Sequence, residues 1–158
     1  MEINVLIDAD LEGCPEAGWL ESLAEKVLIA QGVDSRAELS LAIVGQERIR
    51  QLNLSYMGND EPTDVLSFSM LSEPSGEVIT PFVTPPDGIT HLGEVIISYP
   101  QAVIQASEHR HSVQRELATL LIHGVLHILG FDHDEPEQER QMRAREAEIL
   151  SHIEEELE

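Results

Sequence analysis

The chain is poor in positive charge, in cysteine and in long apolar runs, and each shortage excludes a class of protein. Nine Lys and Arg residues stand against thirty Asp and Glu, for a formal net charge of −21, which argues against a generic nucleic-acid binder with a broad basic face. The lone Cys14 permits no intrachain disulfide and is interpreted as a small apolar residue in a reducing cytosol. No apolar run approaches the ~20 residues of a membrane span, and the N-terminus lacks a basic secretory leader. These shortages predict a cytoplasmic protein.

The strongest functional signal is a set of three histidines at positions 123, 127 and 133. On a helix, His123 and His127 lie one turn apart on the same face, so both imidazoles can reach one ion. Gly130 can adopt the left-handed conformation that ends a helix, which would turn the chain back and bring His133 to the other two. Three imidazoles with an open fourth position are typical of a catalytic zinc, although nickel, copper or iron would accept the same ligands.

The residue after the first histidine indicates which metal chemistry is favoured. Zinc peptidases with this spacing place a glutamate there as general base, whereas this chain has Gly124. A metal-activated water can still attack a phosphodiester, so the pattern favours that hydrolysis over peptide cleavage. A closed structural metal site remains an alternative, with Asp132 or Asp134 as the fourth ligand. Asp132 is also a candidate to orient an imidazole, to accept a proton or to cap the turn after Gly130.

Three segments, in order along the chain, resemble the motifs of the bacterial YbeY family. The first is residues 116–133, in which Glu116 is followed by His123-Gly124, Leu126-His127 and Gly130-Phe131-Asp132-His133. The other two are residues 53–68, with Asn53 to Tyr56 leading into Asp60 to Phe68, and residues 92–98, which begin Leu92-Gly93-Glu94.

This resemblance implies a single-strand-specific, zinc-dependent endoribonuclease of the bacterial cytoplasm. It implies a role in 16S ribosomal RNA 3′-end maturation and in ribosome quality control, and it assigns one Zn²⁺ per chain to His123, His127 and His133. The implied partners are single-stranded RNA, the ribosome and ribosome-assembly proteins, with no membrane and no DNA. A zinc hydrolase of peptide bonds and a non-catalytic assembly factor with a structural metal remain as alternatives.

One segment departs from the family pattern. Where the family has an arginine and a lysine in the block around Tyr56, this chain has Met57 and Asn59. A methionine cannot neutralise charge on a phosphate. Either Arg48 or Arg50 takes over from the preceding helix, or this member cleaves RNA weakly.

The remaining basic residues are few. The group nearest the histidine helix is the better candidate for contacting RNA and comprises His109, Arg110, His111 and Arg115. A second group is interpreted as a solvated helix face with i,i+4 ion pairs and comprises Arg140, Arg143 and Arg145. RNA affinity is therefore expected to be weak and local, although the acidity could also reflect a saline cytoplasm.

Apolar periodicity predicts one α+β domain over residues 1–158. With 158 residues and 42% hydrophobic content, the chain is long enough for a single core. We expect a mixed sheet of about four strands near 3–7, 39–43, 65–70 and 94–98, and about five helices near 15–30, 46–56, 100–108, 112–129 and from 136 onward. The metal-site helix is expected in the middle of the fold. Residues 72–91, with four prolines and two glycines, are predicted to form a surface loop.

Overall fold

Four strands form one mixed sheet in the computed structural model, which describes residues 1–9, 11–70, 89–131 and 135–153. The strands are β1 (Glu2–Ile7), β2 (Ala37–Val44), β3 (Val65–Ser69) and β4 (Thr90–Ser98), in the spatial order β1-β2-β4-β3. β1 and β4 both pair with β2 in parallel, and β3 pairs with β4 in antiparallel fashion. The predicted mixed sheet is confirmed.

The described residues also contain five helices, as predicted. They are α1 (Ala17–Ala30), α2 (Gln46–Met57), α3 (Tyr99–His109), α4 (Val113–Ile128) and α5 (Pro136–Ile153). Side-chain caps set the start of two of them, because the Ser98 hydroxyl accepts from the N–H of Gln101 and the Ser112 hydroxyl from that of Arg115. None of these helices combines the length and apolar character that crossing a bilayer requires.

β4 begins four residues earlier than the sequence pattern predicts. Thr90 and His91 pair with the first two residues of β2, so the last two residues of the predicted 72–91 loop are strand instead. Gly93 interrupts the apolar alternation, and an added Cβ there would lie 2.0 Å from the carbonyl oxygen of Phe68. The close approach of β3 requires glycine at this position. Because this glycine breaks the apolar alternation, the sequence pattern predicts a strand that begins too late. Residues 72–88 lie outside the described residues.

Two apolar cores lie on opposite faces of the sheet. The larger is formed by one sheet face with α1, α4 and parts of α3 and α5, and its buried residues include Leu39, Leu41, Ile43, Val95 and Ile97. The smaller lies between the other face and α2, where Ile49 packs with Ala42, Val44, Leu66 and Ile96. The helical spacing of Ile49, Leu52 and Tyr56 in the sequence predicts that all three face inward. Tyr56, however, is 68% exposed, so the prediction is wrong for this residue. It meets Phe68 of β3 edge-on instead.

α4 lies in the centre of the fold, as predicted. Its buried residues include Leu117, Leu120, Leu121, Val125 and Ile128, which are spread around the helix. The helix packs against α1, α3, α5, β3 and β4. Such burial holds the side chains of this helix in fixed positions, which a metal or catalytic site needs.

Candidate metal centre

His123 and His127 lie one helical turn apart near the C-terminal end of α4. Their ring centroids are 4.9 Å apart, with the ring planes at 63°. Both side chains are partly buried, and that of His123 is 35% exposed. The two imidazoles are therefore held side by side on a buried helix while solvent still reaches them.

The chain turns sharply where α4 ends. Leu129 follows the last helical residue, and Gly130 has a φ of +102°. The N–H of Gly130 donates to the carbonyl of His127 at 3.1 Å, and that of Phe131 donates to the carbonyl of Leu126 at 3.0 Å. These bonds satisfy helix-end carbonyls through a glycine at positive φ, as the sequence predicts. Residues 132–134 lie outside the described residues, so the positions of Asp132, His133 and Asp134 remain predictions.

Gly124 lies where α4 approaches the sheet most closely. A Cβ added there would meet Cγ1 of Val95 at 2.8 Å and Cγ2 at 3.2 Å, with Cγ2 of Val65 at 3.6 Å. A glutamate, with three further heavy atoms in its carboxylate and one more methylene, has no room at this position. The packing of α4 on the sheet is therefore incompatible with the peptidase glutamate at this position.

A carboxylate that sequence reasoning missed contacts the first histidine. Oε1 of Glu146, on α5, lies 2.9 Å from Nδ1 of His123. The two residues are 23 positions apart, and neither periodicity nor spacing links them. Only the docking of α5 on α4 brings them together.

A second set of histidines converges on a buried carboxylate. Oε1 of Glu116 lies 2.8 Å from Nδ1 of His109 and 2.6 Å from Nε2 of His111. The side chain of Glu116 is 3% exposed, whereas that of His109 is 57% exposed. Among the described residues, these three form a group whose ligand atoms lie within 4.8 Å of one another and could hold a metal ion.

The hydrogen bond to Glu116 raises the pKa of His109 above its usual 6.5, and attraction to the same carboxylate raises it further. With Glu116 ionised, the two ring nitrogens are the donors and the carboxylate oxygen accepts from both. The predicted basic group before α4 therefore directs two of its four members toward an internal carboxylate.

The two arginines of α2 are also engaged with carboxylates. Arg48 lies 3.1 Å from Asp8, and Nε of Arg50 lies 2.9 Å from Asp60. Met57, at the family's arginine position, ends the same helix with 58% of its surface exposed. Taking over the role of that arginine would require Arg48 or Arg50 to leave its present partner.

The arginines of α5 do not all behave as predicted. Arg140 and Arg143 lie on the exposed helix face, as predicted, but only Arg143 forms the predicted i,i+4 pair, with Glu139, while Arg140 pairs with Glu137 three positions away. Arg145 pairs with Glu148 but also donates to the carbonyl of Ala30, the last residue of α1, and to the side chain of Gln31, which follows it. Its role is to join two helices, a contact that its sequence neighbours do not reveal.

Asp64 accepts hydrogen bonds at the turn that leads into β3. One carboxylate oxygen accepts from the N–H of Val65 at 2.8 Å, and the other accepts from the side chain of Gln105 at 3.3 Å. The contacts fix the entry into β3, which then runs beside α4 as far as the bond from Ser69 to the carbonyl of Ile128.

Burial raises the pKa of the Cys14 thiol, which suits an unreactive apolar role.

Comparison with known proteins identifies relatives along the whole chain. A protein of Dehalococcoides mccartyi named Endoribonuclease YbeY is 51% identical over 160 residues, covering 100% of both chains. Proteins of the same name from Geobacillus thermodenitrificans and Chloroflexus aggregans are 46% and 40% identical, over 84% and 94% of this chain and 83% and 94% of their own.

The fold also matches a solved structure. The solution structure of a Thermotoga maritima protein superposes with a TM-score of 0.59, covering 98% of this chain and 93% of that one, at 24% sequence identity. The family model described as Endoribonuclease YbeY matches residues 14–154, so the chain belongs to the YbeY family.

Proposed function

We propose that the protein is a single-strand-specific endoribonuclease of the cytoplasm that depends on zinc bound by His123, His127 and His133. Family membership supports the nuclease activity, since the relatives that match most of this chain and most of their own length are named Endoribonuclease YbeY. The proposed substrate is the 3′ end of 16S ribosomal RNA, with a further role in ribosome quality control. Its partners would be the ribosome and its assembly proteins.

The observation that carries the metal proposal is the pair of imidazoles one turn apart on α4, followed by the turn at Gly130. Two ligands on a buried helix and a chain reversal directly after them suit a third ligand from residue 133. A zinc ion bound there would supply an activated water and stabilise charge on a phosphate. The protein's own part would be to hold the two rings in place through the packing of α4, which lies close against the sheet at Gly124.

The group formed by His109, His111 and Glu116 is the competing metal site among the described residues. Its nitrogen–oxygen distances of 2.6 and 2.8 Å have the length of hydrogen bonds. Zinc ligands about 2.0 Å from the ion in a tetrahedron lie roughly 3.3 Å from one another. Both contacts would have to lengthen around a carboxylate that is fixed in the core, so we favour the α4 site.

A non-catalytic assembly factor is the second candidate function, favoured by the state of the cations near Met57. The family's arginine is absent, and Arg48 and Arg50 are both bound to carboxylates. Nothing on the described part of α2 therefore offers an uncommitted charge for a phosphate. A peptidase has no such support, because Gly124 leaves no room for the general base.

Cleavage of a labelled single-stranded RNA by the zinc-loaded protein tests the proposal. We expect His127→Ala to lose both cleavage and bound zinc, and the matched variant His111→Ala to keep both. Loss of zinc only in His111→Ala would overturn the α4 site. Equal cleavage by all three proteins would indicate a contaminating nuclease, and no cleavage by any would favour the assembly factor.

Met57→Arg restores the charge that the family has at this position. If the lost arginine limits the rate, this variant should cleave the same RNA faster than the wild type, because a guanidinium can bridge a phosphate and a thioether cannot. The matched control Met70→Arg adds the same charge at another exposed methionine. An unchanged rate in Met57→Arg, or an equal gain in both variants, would contradict a specific role for that position.

A further inference from the structure

Glu146 occupies an unusual place on α5. The residues that α5 buries are Met142, Ile149 and Ile153, and Glu146 lies four positions after the first and three before the second. It therefore belongs to the same helical stripe, which faces the core. A carboxylate in an apolar stripe is costly unless a donor meets it, and here the donor is His123 at 2.9 Å.

The other carboxylates of α5 have a different environment. Glu137, Glu139 and Glu148 pair with arginines three or four positions away on the same helix, and their side chains are 44–66% exposed. The side chain of Glu146 is 24% exposed and reaches across to another helix. Glu146 is thus directed at His123 by the packing of two helices.

The chemistry of the contact depends on which ring nitrogen carries the proton. A carboxylate can only accept, so Nδ1 of His123 is the donor and, in the neutral ring, the lone pair is on Nε2. Metal-binding histidines commonly donate their other N–H to a carboxylate, which fixes the tautomer and the ring orientation. The contact therefore selects the form of His123 that binds a metal through Nε2.

We propose that Glu146 is a positioning residue for the metal centre: it holds the His123 ring in the Nδ1–H tautomer and in the orientation that a metal ligand needs. This inference depends on the α4 metal site of the proposed function. Glu146 itself acts only through His123.

α5 is well placed to keep this contact fixed. Arg145, the residue before Glu146, joins α5 to the end of α1 through Gln31 and Ala30. Met142 and Ile149, on either side along the stripe, are fully or almost fully buried. The carboxylate is therefore anchored by packing before and after it in the helix, so that His123 meets a partner already in position.

Zinc affinity provides the first test, measured by competition with a chromophoric chelator. Glu146→Ala should bind zinc roughly 10- to 100-fold more weakly than the wild type. Glu146→Gln should lose less, because the amide oxygen can still accept from Nδ1. The matched control Glu148→Ala, on the same helix but paired with Arg145, should bind as the wild type does.

Nitrogen NMR of the histidine rings provides a readout that needs no metal. In the zinc-free protein with neutral rings, His123 should be mainly the Nδ1–H tautomer in the wild type and Glu146→Gln, and a mixture in Glu146→Ala. A purely structural role would lower stability without changing this population.

The two proposals fail in different ways. If His127→Ala loses zinc but Glu146→Ala binds it as tightly as the wild type, Glu146 is not a positioning residue and the metal site stands. If zinc binding survives in His127→Ala, the α4 site and this inference are both overturned.

Discussion

Adding one methyl group at Gly124 tests whether close packing of α4 on the sheet explains the glycine. The new Cβ would lie 2.8 and 3.2 Å from the two γ-carbons of Val95. Val95 is fully buried and β-branched, so its side chain cannot rotate or move away at low cost. The helix, the strand or both must shift to accommodate the methyl group.

The expected net effect follows from two opposing terms. Overpacking of a tight core costs about 1–3 kcal/mol, whereas alanine is favoured over glycine inside a helix by about 1 kcal/mol. Because the shorter contact is well inside van der Waals distance, we expect Gly124→Ala to lower the free energy of unfolding by about 1–2 kcal/mol. For a chain of this length that corresponds to a Tm decrease of roughly 2–8 °C.

A second background separates the two terms. Val95→Ala removes both γ-carbons that the new methyl group would meet, leaving only Val65 at an ordinary 3.6 Å. In that background Gly124→Ala should stabilise the protein by up to about 1 kcal/mol, since only the helix preference remains. Urea unfolding of the four zinc-free proteins measures the cycle. Equal destabilisation by Gly124→Ala in both backgrounds would refute the packing argument.

Three further predictions concern stability. Because contact with Glu116 raises the pKa of His109, the pH-dependent part of the stability that wild type gains over His109→Ala should be full below about pH 6.5 and disappear as pH rises through the raised pKa. Unfolding curves at several pH values would show this, and a difference constant with pH would contradict it. Arg145→Ala should lower the free energy of unfolding by about 1–2 kcal/mol, and the exposed control Arg140→Ala by less than about 0.5 kcal/mol. Equal losses of the two variants in urea unfolding would argue against a role of Arg145 in joining α5 to α1. Asn53→Ala should cost about 1–2 kcal/mol, because its buried amide donates to a backbone carbonyl before β3; an unchanged Tm would refute this.

Periodic elements could be predicted from the sequence to within a few residues. The predicted helix at 112–129 is observed as Val113–Ile128, and the turn at Gly130 is confirmed. The pattern failed at two positions where a tertiary contact overrides it. Gly93 breaks the apolar alternation of β4 because β3 approaches it closely. Tyr56 fits the inward pattern of α2 but is exposed and meets Phe68 edge-on. Glu146 could not be predicted, because its partner is set by how α5 docks on α4.

The excess of carboxylates explains where several histidines point. Four of the seven histidines contact a carboxylate in the described part of the chain, through the pairs His91–Glu38, His109–Glu116, His111–Glu116 and His123–Glu146. With only nine Lys and Arg residues, few cations are available to meet partly buried acids. A neutral imidazole can donate an N–H without bringing a second full charge out of water, which makes it a suitable partner there. A histidine beside the site in sequence is therefore weak evidence for RNA contact in so acidic a protein. The contacts of His109 and His111 with Glu116 indicate instead that this group fixes the start of α4, whereas His123 meets a carboxylate from a different helix, α5.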